Sequence, residues 1–236
     1  MPNYLRIFLF YSLIVGSGFS QETVKSDTVI FPRMIFIERG DSSYYMDKYE
    51  VTNGEYAQFL NDLGNQEEEG APWIELRSRF ALIEESESGK FVAIDSFDTH
   101  PAVEISWHGA KAYCEWAGKR LPTQSEWRFG CQGRDSRKYP WGKKFIEGYA
   151  NIYGHKHDGY VRTAPVGTYP LGASPFGLLD MSGNVWEWTY SEGDLQFLRG
   201  GSWVNGATLG QCDKRSNTKD AHSYIKGNTL GFRCAR

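Results

Sequence analysis

The alternation of apolar and polar residues near the start of the chain predicts two short strands followed by a helix. The apolar, β-branched run at 34–37 is typical of a strand, and a turn at 40–43 leads into a returning strand at 44–46. Thr52 has the character of a helix N-cap, and Glu55 lies three residues later, at the partner position of a capping box. Apolar residues then recur at helical spacing: Tyr56, Phe59, Leu60 and Leu63.

Two further helices are predicted near the middle of the chain. Ser106 is the N-cap of the first, which ends at Gly118. The second begins at Thr123, with Glu126 as its capping-box partner. The inner faces of these two helices carry large rings and sulfur: Tyr113, Cys114, Trp127 and Cys131.

The rest of the pattern is short and irregular. A strand is predicted at 91–94, and the acidic runs at 67–69 and 84–87 indicate a solvated insertion. From position 133 onward helical signals are few, and the run at 231–234 predicts a last strand. The pattern therefore favours a loop-rich chain whose helices come first and are followed by turns and short runs.

The N-terminus has the features of a secretory signal peptide. One positive charge precedes an apolar run at 7–15, which is too short to span a bilayer, since that takes about 20 residues. Small residues at Gly18 and Ser20 predict cleavage after Ser20. We therefore expect a signal peptide at 1–20, a polar lead-in at 21–30 and one domain at 31–236. The mature protein would be periplasmic or secreted and would have no membrane span.

Composition narrows the class of protein. The chain has 236 residues, 40% of them hydrophobic, with 8 Trp, 14 Tyr and 14 Phe, which is enough for one full-sized core. Its net charge of -3 offers no general attraction for nucleic acid or anionic membranes, so neither is an expected partner.

All four cysteines lie in the part of the chain that export would retain. They are Cys114, Cys131, Cys212 and Cys234, and four cysteines allow three pairings that arithmetic cannot distinguish. An oxidising compartment favours two disulfides. A tetrahedral metal site is the alternative, but no two cysteines have the C-x-x-C spacing that is usual there.

Nine segments, taken in order, resemble the formylglycine-generating enzyme, or sulfatase-modifying factor, family. They are MDKYEVTN at 46–53, AYCEWAGKRLPT at 112–123, EW at 126–127, YPWG at 139–142, ANI at 150–152, TAPV at 163–166, GNVWEW at 183–188, RGGSW at 199–203 and GFRC at 231–234. The resemblance implies a single α+β domain of C-type-lectin-related fold, with little regular secondary structure. It also implies the disulfides Cys114–Cys234 and Cys131–Cys212.

The resemblance further implies structural Ca²⁺, which binds oxygen ligands from carboxylates, amides and backbone carbonyls. Carried over position by position, the first site uses Asn151, Ile152, Asp158 and Tyr160. The second site uses Asp180, Gly183, Val185 and Glu187.

The catalytic cysteine pair of the family is missing. Its enzymes oxidise a substrate cysteine to formylglycine with O₂, using a copper ion held by two thiolates, and soft Cu(I) selects such ligands. Those cysteines would lie between Ser202 and Cys212, but the segment 204–211 contains none, so copper is not expected. Cys131 and Cys212 as free thiolates would be one alternative source of ligands. His155 and His157, at alternate positions, would be another pair able to share a metal.

The leading interpretation is an exported, non-oxidase binding or accessory module. Its ligand groove would be lined by Trp186, Arg199, Ser202, Trp203, Asn205 and Arg215. A peptide, protein or carbohydrate suits the aromatic rings and paired donors of this groove, and a sulfatase is one such protein. The alternatives are a sulfatase maturation enzyme with altered chemistry and a lectin-like ligand-display protein.

Overall fold

The computed structural model describes residues 33–154, 160–190, 195–216 and 225–236. The chain divides into Met1–Ile30, which lies outside the described ranges, and a compact unit, Phe31–Arg236. The signal peptide at 1–20 and the lead-in at 21–30 therefore stay predictions.

Helices form where the capping signals predicted them. Within the described ranges they are α1 (Asn53–Leu63), α2 (Trp107–Trp116) and α3 (Gln124–Gln132). The side chain of each N-cap accepts a hydrogen bond from the first turn, and these caps are Thr52, Ser106 and Thr123. Both predicted capping boxes close. None of these helices has the length and apolar character needed to span a bilayer.

The strands are short. They are β1 (Met34–Ile37), β2 (Tyr44–Asp47), β3 (Glu67–Glu68), β4 (Ala71–Pro72), β5 (Ile83–Glu85), β6 (Phe91–Ala93), β7 (Trp186–Tyr190), β8 (Gln196–Arg199) and β9 (Leu230–Gly231). The first six form three antiparallel hairpins, and the last three form a sheet in the order β8-β7-β9. The strand predicted at 231–234 is wrong in its bounds. After β9 the chain makes only isolated bridges from Ala235 to Met46 and to Arg120, so it ties two segments together without forming a ladder.

The sheet β8-β7-β9 contributes to two hydrophobic clusters. Trp188 and Leu198 belong to the first cluster, beneath α1 and α2. Trp127 of α3 belongs to the second, together with residues of β1 and β2. Because successive side chains of a strand point to opposite faces, Glu187 faces away from Trp186 and Trp188. Glu187 indeed contacts Trp127. The two faces of β7 therefore carry different sets of side chains.

Two disulfides join the helices to the late part of the chain. Cys114 of α2 pairs with Cys234, and Cys131 of α3 pairs with Cys212, with Cα–Cα distances of 5.7 and 5.6 Å. This is the pairing that the resemblance implies. It leaves no free cysteine, so Cys131 and Cys212 do not form the thiolate pair considered above.

Candidate functional site

The segment 180–187 is wound into a tight turn against Asn151. Asp180, Gly183 and Asn184 all have positive φ angles, of 59°, 84° and 57°. A Cβ atom on residue 183 would lie 2.2 Å from the Asn151 carbonyl oxygen, so only glycine permits this approach. Asn184 donates its backbone N–H to that same carbonyl at 2.8 Å. The two predicted calcium-binding sets are therefore neighbours.

Asn151 of the first set has one acceptor without a partner. Its Nδ2 donates to the Arg162 carbonyl at 2.7 Å and to Asn184 Oδ1 at 3.1 Å. Because both contacts are to acceptors, they fix the orientation of the amide. Its Oδ1 is buried and has no hydrogen-bond partner among the described residues. A buried orphan oxygen costs about 1–3 kcal/mol, and it is a ligand that a hard cation takes.

The other members of the first set are described unequally. Ile152 is fully buried beside Asn151. The ring of Tyr160 lies 6.1 Å from the ring of His100, centroid to centroid. Asp158 falls outside the described residues, as do His155 and His157.

Glu187 of the second set lies in a buried ion pair. Arg233 Nε donates to Glu187 Oε2 at 2.6 Å, and Arg233 Nη2 donates to Glu187 Oε1 at 2.7 Å. Trp127 Nε1 also donates to Oε2, at 2.7 Å. Both charged side chains are fully buried. Such a bidentate pair orients the Glu187 carboxylate firmly.

Negative charge exceeds positive charge around this pair. Asp180 accepts a hydrogen bond from the Gly167 N–H at 2.6 Å, and Glu50 accepts one from Asn184 Nδ2 at 2.7 Å. Burial raises the pKa of Asp180 to about 6. Burial, followed by the charges of Asp180 and Glu187, raises the pKa of Glu50 well above its ordinary value. Arg233 is hydrogen-bonded to Glu187 alone of the three carboxyl groups, and its charge also acts on Glu50 and Asp180. A divalent cation would offset the remaining negative charge.

The donor set that this region offers is mixed. Within the described ranges, no three His, Cys, Asp or Glu side chains are arranged to hold a metal ion by themselves. A cation here would also need amide and backbone carbonyl oxygens as ligands. The predicted carbonyl ligands are those of Gly183 and Val185. Ca²⁺ accepts such ligands. The residues present therefore fit calcium better than a metal that prefers nitrogen or sulfur.

Sequence reasoning missed the roles of Glu50 and Arg233. Glu50 lies in the segment MDKYEVTN at 46–53, and Arg233 lies in GFRC at 231–234. In each segment the charged residue is next to an apolar one. A charge embedded in an otherwise buried motif was the available signal, because buried charges require partners.

The segment that lacks the cysteine pair is closed by a local turn. Ser202 Oγ donates to Asn205 Oδ1 at 2.7 Å, and the Ser202 N–H donates to the same oxygen at 3.0 Å. The Asn205 N–H returns a hydrogen bond to the Ser202 carbonyl at 2.8 Å. Asn205 therefore serves to fix the turn, with its side chain half-buried.

Trp186 and Trp203 lie beside this turn. Trp203 Nε1 donates to the Asn228 carbonyl at 3.2 Å, and the Trp186 N–H donates to the Thr229 carbonyl at 2.8 Å. Both side chains are half-buried, so each keeps part of its ring accessible. Four of the six predicted groove residues, Trp186, Ser202, Trp203 and Asn205, are thus gathered here, and we call them the tryptophan patch.

The two arginines of the predicted groove lie elsewhere. Arg199 of β8 is the cross-strand partner of Glu187, so it lies on the sheet face opposite Trp186. Arg199 Nη2 donates to Gln124 Oε1 of α3 at 2.8 Å. Arg215 forms an isolated bridge with Arg199. The structure therefore divides the predicted groove between two surfaces.

Comparison with known proteins identifies the scaffold. A family model described as sulfatase-modifying factor enzyme 1-like domain matches residues 23–236. The inactive C-alpha-formylglycine-generating enzyme 2 of Bos taurus is 40% identical over 155 residues, covering 57% of this chain and 50% of that protein. The formylglycine-generating enzyme of Mus musculus is 32% identical over 251 residues, covering 81% of this chain and 65% of that enzyme. The chain thus spans 50% and 65% of the length of these two relatives.

A solved structure agrees with these sequence matches. PvdO from Pseudomonas aeruginosa superposes with a TM-score of 0.62 and 26% identity, covering 82% of this chain and 80% of that one. The fold of this chain has mixed helix and strand content, little regular secondary structure and two disulfides. On the match of the family model to almost the whole chain, this protein belongs to the sulfatase-modifying factor family and has its formylglycine-generating-enzyme-like fold.

Proposed function

We propose that this protein is an exported, non-oxidase member of its family that acts as a binding or accessory module. The observation that carries the proposal is the position and the disulfide state of its cysteines. The segment 204–211 has no cysteine, and the four cysteines of the chain are all in disulfides. Cu(I) chemistry of the family's kind needs thiolate ligands, which nothing here supplies.

Two further observations support the proposal. A relative that is 40% identical over its matched region is named as an inactive formylglycine-generating enzyme. Two disulfides are typical of proteins that leave the reducing cytosol, which favours a periplasmic or secreted location. We also propose that the fold is related to C-type lectins and that Ca²⁺ stabilises the turn at 180–187.

The tryptophan patch is the ligand surface that we propose for this module. Half-buried indole rings offer apolar area together with a fixed geometry, and a peptide, protein or carbohydrate exploits both. Ser202 and Asn205 already satisfy each other, so the recognition of a ligand would depend mainly on the rings of Trp186 and Trp203. A sulfatase is one protein partner with this chemistry.

A peptide oxidation assay tests the proposal. The purified mature chain is incubated with a Cys-x-Pro-x-Arg peptide, copper and O₂, and the peptide is examined by mass spectrometry. A formylglycine-generating enzyme with its cysteine pair intact is the positive control. An unmodified peptide beside an active control is the expected result. Conversion of the thiol to an aldehyde would establish the alternative, a maturation enzyme with altered chemistry.

A further inference from the structure

A cleft between α3 and β8 is lined by four arginines. It has a volume of about 470 Å³, and Arg39, Arg128, Arg199 and Arg215 contribute to its walls. The remaining lining residues in the described part of the chain are uncharged. The arginines come from distant parts of the sequence, so the concentration of positive charge is a product of the fold.

Arg199 is the buried member of this set. Arg199 is 6% exposed, and within the described part of the chain its guanidinium donates to uncharged acceptors: the carbonyls of Asp213 and Lys214 and the side chain of Gln124. Its Nε is buried and has no hydrogen-bond partner within the described ranges. A buried guanidinium normally has an anionic partner, because burying an unpaired charge is costly.

Neighbouring charges make this position less favourable still. Burial, followed by the positive charges of Arg215 and Arg128, lowers the pKa of Arg199 to about 10. Asp213 acts in the opposite direction, but its carboxylate is exposed and lies 3.7 Å from the ammonium group of Lys214. An anion in the cleft would offset the electrostatic repulsion among the arginines.

The other arginines are held in place by aromatic rings and by α3. Arg39 Cζ lies 4.9 Å from the centre of the Phe129 ring, and Arg215 Cζ lies 5.0 Å from that of Phe197. Such stacking orients a guanidinium while leaving its N–H edges able to donate. Arg128 Nε donates to Gln132 at 3.1 Å, one turn along α3.

The N-terminus of α3 adds to the positive potential of the cleft. Gln124 and Ser125, the first two residues of this helix, belong to the lining. Backbone N–H groups at the start of a helix lack intrahelical partners and favour anions. Glu126 lies in the same turn, but Arg120 binds its carboxylate at 2.6 and 2.7 Å, so its charge is compensated.

We propose that the arginine cleft binds the phosphate or sulfate group of a small monoester. Donors reach the cleft from four chain segments, an arrangement that suits a tetrahedral oxyanion with several terminal oxygens better than a planar carboxylate. The volume exceeds that of the bare ion, and the ring of Phe129 offers an apolar wall for the esterified group. This site lies on the sheet face opposite Trp186 and does not depend on the function proposed above.

Calorimetric titration of the full mature protein at constant ionic strength tests this proposal. The probes are inorganic phosphate, inorganic sulfate, p-nitrophenyl phosphate and p-nitrophenyl sulfate, with chloride as the reference anion. Arg215→Gln and Arg128→Gln change exposed residues of the cleft. Arg79→Gln is the matched control, because Arg79 is also exposed and stacks on a ring, with Cζ 4.6 Å from the centre of Phe80.

The expected result is saturable binding of at least one ester, weakened about tenfold in each cleft variant by the loss of a charge-assisted contact. Arg79→Gln should bind as the wild type does. A preference between the two esters would identify phosphate or sulfate as the natural group. The proposal is overturned if neither ester saturates, if only the inorganic ions bind, or if the cleft variants match Arg79→Gln.

Discussion

Replacing Asp180 by asparagine should make the protein more stable than the wild type without calcium, and calcium should largely remove that difference. Asp180 has a φ of 59°, a region that asparagine adopts at least as readily as aspartate. The new side chain keeps an oxygen that can accept the Gly167 N–H, now 2.6 Å from Asp180 Oδ2. The substitution therefore removes one charge from the group formed with Glu50, Glu187 and Arg233, and changes little else.

The magnitude follows from the displaced pKa of Asp180. Burial raises it from 3.8 to about 6. A carboxylate with such a shift destabilises the folded state by about 3 kcal/mol at pH 7, because the unfolded chain ionises more readily. With calcium chelated, Asp180→Asn should therefore raise the midpoint of thermal unfolding by roughly 5–10 °C for a domain of this size.

Calcium should largely cancel this advantage. At a calcium concentration one hundred times the dissociation constant, the wild type should gain about 3 kcal/mol, since a ligand that binds only the folded state stabilises it by mass action. Asp180→Asn lacks a carboxylate ligand, so its gain should be smaller. Calorimetry in EDTA, in CaCl₂ and in MgCl₂ measures each gain, and Mg²⁺ should be less effective because it prefers a smaller octahedral shell.

Asp95→Asn is the matched control, because Asp95 is exposed and its loss should change the unfolding midpoint neither in EDTA nor in CaCl₂. Two results would refute the reasoning. One is an equal calcium-dependent rise in the wild type and in Asp180→Asn. The other is a variant that is less stable than the wild type in EDTA, which would show that the carboxylate acts as a structural acceptor.

Three other substitutions test how the scaffold is held. Changing Cys131 and Cys212 together to serine should lower the free energy of unfolding by about 4 kcal/mol in urea, because the bridge closes a separation of 81 residues. Arg233→Met should cost about 3–5 kcal/mol in the same assay, since it leaves buried carboxylates unpaired. Glu126→Gln should flatten the acid side of the stability curve. Although burial opposes ionisation, hydrogen bonds from Arg120 and Thr123 lower the pKa of Glu126 below 4.5, so its stabilisation is lost as the pH falls through that lowered value.

Each of these expectations has a result that contradicts it. Urea unfolding of the serine double variant at the wild-type midpoint would mean that the unfolded chain is already compact. An Arg233→Met protein of wild-type stability would mean that the buried carboxyl groups are neutral. If the stability of Glu126→Gln falls with pH as that of the wild type does between pH 3 and 7, the ion pair with Arg120 does not contribute to stability.

The local elements were predictable because their signals are local. Thr52 with Glu55, and Thr123 with Glu126, are each separated by one helical turn, and both capping boxes form as the spacing indicates. The disulfide pairing needed the family resemblance, since four cysteines allow three pairings. The last strand was placed too late because the pattern at 231–234 reflects burial between Met46 and Arg120, which single-strand periodicity cannot distinguish from a ladder.

Neither charged centre could be predicted from the sequence alone. Glu50 and Arg233 are separated by most of the chain, and only the fold brings them to Glu187. The arginine cleft is similarly assembled from positions 39, 128, 199 and 215. A net charge of -3 conceals this patch, because overall charge says nothing about how it is distributed.

The distribution of burial explains how this scaffold accommodates a segment 204–211 without cysteine. Within 204–211 only Gly210 is buried, and the other residues are exposed or half-buried. The staple Cys131–Cys212, the pair Glu187–Arg233 and the helix caps all lie outside that segment. Cysteines there could therefore be exchanged for other residues at little cost to stability, because surface substitutions away from such features usually change it by less than about 0.5 kcal/mol.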